Sequence, residues 1–237
     1  MSELASEPDN TGAGGWGELG EHAYRRLRDE IVSLGLPPGA AVSEQRLTED
    51  FGLSLASVRA ALARLRTDGL VTAQPRRGHV VSVLTLRDVH EVFRLRLLLE
   101  PEAAALAAGN IGARELAALD AACAKRYDPA DKDSVTAFLA ANRELHLRVA
   151  SASGNGRLAR SIAGLLSEAE RASHLALSAG AGEGGSRIFH EHADLIEALV
   201  TPAPEAARTL MHTAIASFHQ DLTTTLQTTE AIQSAAL

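Results

Sequence analysis

The feature that most constrains the fold is a pair of helical patterns separated by only a few residues. Leu47 and Phe51 stand at helical spacing, and Ser43 before them is a favourable N-cap residue. Gly52 ends this short helix, and Ser54 then caps a longer one. A buried stripe on the longer helix is predicted from its apolar residues, which are Val58, Ala61, Leu62 and Leu65. The pattern predicts two helices joined by a tight turn.

The flanking segments complete a recognisable domain. A helical pattern begins at Tyr24 before the pair, and two β-like runs follow it, Leu70–Ala73 and His79–Val83. The residues between these runs, Gln74-Pro75-Arg76-Arg77-Gly78, predict a hairpin with a basic tip. Three helices followed by a basic hairpin is the order of a winged helix-turn-helix domain. In such a domain the third helix enters the major groove of DNA, and the hairpin reaches phosphates or the minor groove.

The third helix has an outward face that follows from its buried stripe. This face contains Leu55, Ala56, Arg59 and Ala60. Arg59 suits a guanine or a phosphate, while Ser54 and Ser57 lie beside free backbone N–H groups that suit phosphate. At the hairpin, we expect contacts from Arg76 and Arg77 and a close backbone approach at Gly78. The alternative is that the arginines form an ordinary solvated face and that the hairpin is a structural cap.

Composition limits the classes of protein that fit. The 237 residues have a net charge of −7, but residues 16–85 hold nine arginines against eight acids, which is compatible with DNA binding. The single cysteine, Cys123, excludes an internal disulfide and fits a reducing compartment. No apolar run is long enough to span a membrane, and no secretory signal is recognisable. We therefore expect a cytoplasmic protein.

No strand pattern follows Leu84, and the remaining chain predicts helices with short connections. The six helical stretches are 86–108, 113–126, 132–151, 156–178, 185–200 and 203–228. The fold class is therefore mainly α, with a winged helix-turn-helix domain of three helices and a hairpin, followed by an all-α bundle of six to seven helices. The predicted domain bounds are a mobile tail over 1–15, the DNA-binding domain over 16–85, the bundle over 86–230 and a tail over 231–237.

Residues 24–83 resemble the DNA-binding domain of the GntR family of bacterial regulators. The resemblance rests on LRDEIVSLGLPPGAAVSEQRLTEDFGLSLASVRAALARLRTDGLV and RRGHVVS. It implies that Ser54, Arg59, the hairpin arginines and Gly78 bind DNA, with Arg46 as a candidate from the preceding helix. The family commonly has Ser-Arg-Thr-Pro-Val-Arg-Glu where this chain has Ser-Leu-Ala-Ser-Val-Arg-Ala. Leu55 thus replaces a frequent base reader, and it could contact a thymine methyl group instead.

Residues 86–230 resemble the FCD ligand-binding domain, through RLRLLLEPEAAALAA, ELHLRVASASGN and EHADLIEAL…AARTLM. Many members hold a divalent metal with an Asp-x-x-x-His pair and two later histidines. Here the corresponding positions are Asn142, His146, His192 and Ala214. The resemblance therefore implies an incomplete site that binds Zn, Ni or Mn weakly or not at all, and a pocket that holds its effector by hydrogen bonds. Arg96 is either a carboxylate anchor in this pocket or the partner of Glu100 in an ion pair.

Together these features predict a ligand-responsive transcriptional regulator, most often a repressor, released by a small organic acid or a related metabolite. The resemblance implies a homodimer on a palindromic DNA operator. One alternative is a metal-dependent helical-bundle enzyme, although the chain has no His-Glu-x-x-His motif and we predict no catalytic residue. A second alternative is an architectural DNA-binding dimer without an effector.

Overall fold

A computed structural model describes residues 13–74, 78–123, 127–181 and 186–228. The chain divides into two compact units, with the boundary between Ser82 and Val83. Each unit has its own hydrophobic core.

Within the described residues, the N-terminal unit contains three helices and three short strands. Its elements are α1 (Ala13–Val32), β1 (Ala41–Val42), α2 (Glu44–Phe51), α3 (Leu55–Thr67), β2 (Val71–Gln74) and β3 (Gly78–Val81). The predicted order of three helices and a hairpin is confirmed. Helix α1 begins at Ala13, inside the segment 1–15 that the sequence predicts as a tail, and residues 1–12 lie outside the described residues.

The turn between α2 and α3 has the predicted caps. The hydroxyl of Ser43 accepts the backbone N–H of Arg46 at 3.2 Å, and that of Ser54 accepts the N–H of Ser57 at 3.1 Å. Gly52 ends α2 with a φ of 64°, a left-handed conformation that glycine adopts without the steric cost of a Cβ atom. The short α2 therefore stops at a defined residue, and α3 begins three residues later.

Helix α3 is held by its buried stripe. Val58, Ala61, Leu62 and Leu65 are all at most 2% exposed, as predicted. They share one core with residues from every other element of the unit. These residues are Leu27 and Ile31 of α1, Val42 of β1, Leu47 of α2, Val71 of β2 and Val81 of β3. Because this stripe is buried, the opposite face of α3 is turned to solvent.

The three strands form one antiparallel sheet in the order β1-β3-β2. Val71 pairs with Val81 in the hairpin, and β1 adds at the other edge, with Val42 opposite His79. The sequence analysis missed β1, because a strand of two residues has too little alternation to recognise. Gly78 has a φ of 76°, and a Cβ atom there would lie 3.2 Å from the carbonyl oxygen of Val42.

The C-terminal unit is a helical bundle in the part of the chain that the structure describes. Its helices are α4 (Leu86–Ala107), α5 (Ala113–Cys123), α6 (Lys132–Ala152), α7 (Gly156–Ser178), α8 (Ser186–Val200) and α9 (Pro204–Thr228). Each begins within one residue of its predicted start. None of the described helices is long and apolar enough to cross a membrane.

Helix α4 lies at the centre of this bundle, where it packs against α6, α7 and α9. A capping box starts it, in which the Thr85 hydroxyl accepts the N–H of Asp88 and the Asp88 carboxylate accepts the N–H of Thr85. Fully buried Phe93 and Ala104 anchor it in the core. Because α4 is surrounded by other helices, its polar residues Arg96 and Glu100 are buried as well.

The buried stripe of α3 predicts a stability difference between two identical substitutions in one helix. Leu65→Ala should lower the free energy of unfolding of the N-terminal unit by about 2–5 kcal/mol, since it leaves a cavity in the core. Leu55→Ala, at a residue 43% exposed, should change it by less than about 0.5 kcal/mol. Urea denaturation followed by circular dichroism measures both values, and equal losses would contradict the assigned faces of α3.

Candidate nucleic-acid interface and effector cavity

The N-terminal half of α3 presents the face predicted to contact DNA. Leu55, Ala56, Arg59 and Ala60 are all exposed, and so is Ser54 at the N-cap. Exposed backbone and side-chain groups at the start of a helix can approach a phosphate or a base edge without competition from the protein core. The sequence-based assignment of this outward face is therefore confirmed.

Ser57 does not belong to that face. Its side chain is only 8% exposed, and its hydroxyl donates to the carbonyl oxygen of Ser54 at 2.9 Å. The reason is its helical phase, because Ser57 lies four residues before Ala61 and so shares the buried stripe. The hydroxyl of Ser57 thus serves the start of α3 in this conformation, and the phosphate contact at Ser57 stays a prediction.

The exposed arginines near this face each have an acidic neighbour. The Nε of Arg59 donates to Oε2 of Glu44 at 2.7 Å, and the Nε of Arg46 donates to Oδ2 of Asp50 at 3.2 Å. Helical i, i+4 spacing could have revealed the second pair. The first pair joins residues 15 apart, and only the packing of α2 against α3 brings them together, so the sequence analysis missed Glu44.

The hairpin of β2 and β3, the wing of this domain, is described except at its tip. Arg76 and Arg77, the predicted tip contacts, lie outside the described residues. Gly78 is described, and its positive φ and close approach to Val42 both favour a glycine there. These two features explain Gly78 by the shape of the sheet, without any contact to DNA.

The bundle holds a small cavity that brings together the four residues predicted to bind a ligand. It measures about 20 Å³, which is room for about one water molecule. Its polar lining is formed by Arg96, Asn142, His146 and His192. Its apolar lining is formed by Phe138, Leu139, Ala214, Ile215 and Phe218. These residues come from α4, α6, α8 and α9, so the cavity exists only when these helices are packed together.

Glu100 links two of these residues in a buried network. Its carboxylate accepts the Nε of Arg96 at 2.5 Å and the Nδ1 of His146 at 2.5 Å, and all three side chains are at most 4% exposed. Burial by itself raises the pKa of Glu100, but Arg96 and His146 outweigh it and lower that pKa to about 2. Both roles considered for Arg96 thus coexist, since it pairs with Glu100 and also lines the cavity.

The same network determines the tautomer of His146. An ionised carboxylate can only accept hydrogen bonds, so Nδ1 of His146 must carry the proton that it shares with Glu100. The ring nitrogen left for a ligand is therefore Nε2. This arrangement, a histidine held by a carboxylate behind it, leaves Nε2 as the ring nitrogen that can meet a ligand.

His192 is the other buried imidazole of the cavity. It is 2% exposed, its ring centroid lies 5.8 Å from that of His146, and its Nδ1 has no hydrogen-bond partner among the described residues. Burial, followed by the neighbouring His146, lowers the pKa of His192 to about 3, so the ring is neutral at pH 7. A buried polar atom without a partner is a candidate contact for a ligand.

The donor set does not fit a firmly held divalent metal. It comprises two imidazoles and the neutral amide of Asn142, and Ala214 supplies only a methyl group to the cavity. Across the described residues, no group of three or more His, Cys, Asp or Glu side chains is arranged to hold a metal ion. His219 is engaged elsewhere, since its Nε2 lies 3.0 Å from Nδ1 of His90 and its ring stacks on Phe93.

Comparison with known proteins finds a family match for each half of the chain. Residues 19–81 match the bacterial regulatory proteins of the gntR family, and residues 91–217 match the FCD domain. The chain is 33% identical over 97 residues to the HTH-type transcriptional regulator YdhC of Bacillus subtilis, an alignment that covers 41% of this chain and 43% of that protein. It is 31% identical over 93 residues to the HTH-type transcriptional repressor RspR of Escherichia coli, covering 39% and 41%.

Among solved structures, E. coli McbR/YncC has a similar fold. Its TM-score is 0.72 at 23% identity, with 88% of this chain and 97% of that chain covered. The alignments with YdhC and RspR each span less than half the length of the relative.

The low pKa of His192 predicts how stability depends on pH. An unfolded histidine titrates near pH 6.5, so the unfolded chain binds the proton first and stability falls as pH drops from about 6.5 towards 3. From about pH 8 to about pH 5, this one group should account for a loss of about 2 kcal/mol in the free energy of unfolding.

His192→Gln should remove that contribution, and His212→Gln, at an exposed position of α9, should not. Urea denaturation of the parent and both variants at the two pH values measures the difference. Equal pH dependence in the two variants would show that His192 is not the buried neutral group described above.

Proposed function

The chain belongs to the GntR family of bacterial transcriptional regulators and carries an FCD domain, and on that premise we propose that it is a repressor released from its operator by a small organic acid. The relative RspR is named a transcriptional repressor, which supports the direction of regulation. We propose that it acts in the cytoplasm, which the single cysteine and the DNA-binding role of the family support.

The observation that carries the DNA-binding proposal is the exposed start of α3. This segment has Ser54 at its cap, Arg59 in its second turn and an otherwise small or apolar surface, so it can lie deep in a major groove. Arg59 is the cation of the first two turns of α3, and its guanidinium can recognise a guanine through two parallel hydrogen bonds. Leu55, 43% exposed, can contact a thymine methyl group.

A homodimer would present two copies of this interface, and its operator would then have matching two-fold symmetry. Two copies of α3 related by a two-fold axis match two half-sites about 34 Å apart, which is one turn of DNA. We therefore propose a palindromic operator. The chemistry of the half-site should include a guanine opposite Arg59 and a thymine near Leu55.

The effector site is the cavity of the bundle. Its bond to Glu100 occupies one of the five N–H donors of Arg96, which leaves others for a carboxylate. Nε2 of His146, the amide of Asn142 and the buried Nδ1 of His192 can accept or donate further hydrogen bonds to hydroxyl or carbonyl groups. We propose that these groups bind the acid directly, without a metal, because the donor set does not suit one.

Binding of such an acid requires the bundle to change. A cavity of about 20 Å³ holds about one water molecule, so even a small acid must move the lining helices apart. That movement gives the ligand different contacts in two states of the protein, which is the thermodynamic requirement for an effector to alter DNA affinity.

Neither alternative function has comparable support. A hydrolytic metal site would need a free carboxylate as general base, and the carboxylate next to the two imidazoles, Glu100, already accepts hydrogen bonds from Arg96 and His146. An architectural role would leave the buried polar groups of the cavity without a use. The effector screen below distinguishes it from the proposal.

Arg59→Ala should weaken binding to the operator by about 1–3 kcal/mol, because it removes a base or phosphate contact. The matched control is Arg66→Ala, which removes the same charge from the exposed last turn of α3, about 10 Å further along the helix. Fluorescence anisotropy with duplexes from upstream of the chain's own gene measures both. Equal effects of the two substitutions would remove Arg59 from the interface.

The effector proposal predicts a ligand-dependent shift in melting temperature. In a panel of small organic acids, an acid at about 100 times its Kd should add about 2.7 kcal/mol to the stability of the parent. Asn142→Ala should lose most of this response, and Asn110→Ala, at an exposed position, should keep it. Zinc added in place of EDTA should leave the melting temperature of the parent unchanged. A panel without any stabilising acid would favour the architectural alternative.

A further inference from the structure

We propose that Glu44 is a positioning residue that makes Arg59 selective for base sequence. The proposal rests on the proposed DNA-binding function and goes beyond it, because Glu44 itself needs no contact with DNA. In this role the carboxylate of Glu44 holds the Arg59 guanidinium in one orientation on the exposed face of α3.

The geometry of the pair leaves the two terminal nitrogens of the Arg59 guanidinium open. Oε2 of Glu44 accepts from Nε of Arg59 at 2.7 Å. No other hydrogen bond or ion pair of Arg59 is formed within the described ranges. The two terminal nitrogens therefore remain available, and together they form the planar fork that pairs with O6 and N7 of a guanine.

Glu44 is the fixed partner and Arg59 the mobile one. Glu44 is the first residue of α2, directly after the Ser43 cap, where the N-terminal end of the helix dipole favours a carboxylate. Its side chain is 33% exposed, whereas that of Arg59 is 62% exposed. A restrained acid therefore orients a long side chain that would otherwise sample many rotamers.

The pair has little value as a stabilising contact. An ion pair this exposed adds little to stability, because water screens the charges and two long side chains lose freedom. A carboxylate near the phosphate backbone also opposes DNA binding, since the backbone is an array of negative charges. Both arguments leave orientation of Arg59 as the role that accounts for an acid at this position.

Arg46, the second arginine near this face, has no such partner on another helix among the described residues. Arg46 pairs with Asp50 of its own helix, and the side chains are 74% and 54% exposed. Neither member of that pair is restrained by another element, so Arg46 suits a phosphate contact, which tolerates variable geometry. The cross-helix restraint from α2 to α3 is specific to Arg59 among these two arginines.

The test compares binding to a panel of duplexes that differ at single base pairs, built on the duplex that the parent binds most tightly upstream of its own gene. Glu44→Ala should reduce discrimination at one base-pair position by about fivefold or more, the range expected when one base contact loses its geometry. Affinity for scrambled DNA should stay equal or rise, because a negative charge is gone. Glu44→Gln, which keeps the acceptor oxygen, should retain part of the discrimination.

Two controls separate orientation from charge and from folding. Glu49→Ala removes an exposed acid from the same helix and should leave the discrimination unchanged. In an Arg59→Ala background, Glu44→Ala should cause no further loss, and melting temperatures should confirm that every variant is folded.

Unchanged discrimination in Glu44→Ala, or an equal loss in the Arg59→Ala background, would overturn the role of Glu44 while leaving the DNA-binding proposal intact. A parent chain that binds no duplex selectively would overturn the proposed function and this inference together.

Discussion

Burial of one stripe on α3 is the constraint from which the proposed DNA interface follows. Val58, Ala61 and Leu65 must leave water together, and a helix that buries this stripe has to expose the side that carries Leu55 and Arg59. The caps at either end of the turn, made by Gly52 and Ser54, determine where that exposed side begins. Recognition chemistry therefore depends on apolar packing that never meets DNA.

A different constraint shapes the bundle, which is the burial of charge. Glu100 is ionised in the core only because Arg96 and His146 both donate to its carboxylate, and removing either partner would leave an uncompensated buried charge. The network also orients His146 towards the cavity. The groups that stabilise the ionised glutamate are thus the same groups that give the cavity its polar wall, which links the packing of α4 to the effector site.

Periodicity predicted the helices and the two faces of α3, because local spacing determines them. It failed where distant segments meet. The two-residue strand β1, the Glu44–Arg59 pair and the Glu100–His146 bond each join parts of the chain whose approach is decided by tertiary packing. The burial of the Ser57 side chain follows from its helical phase relative to Ala61, whereas its place at the helix start alone does not indicate burial. The incomplete set of metal ligands, Asn142, His146 and His192, could be recognised only through the family resemblance.

The measurement that tests this account most directly is selection of bound duplexes from a random-sequence library by the full chain. The account predicts enrichment of a two-fold-symmetric sequence whose half-sites lie about one helical turn apart, each with a guanine that Arg59 can reach. Recovery of duplexes without a shared sequence, or of a sequence without two-fold symmetry, would contradict it.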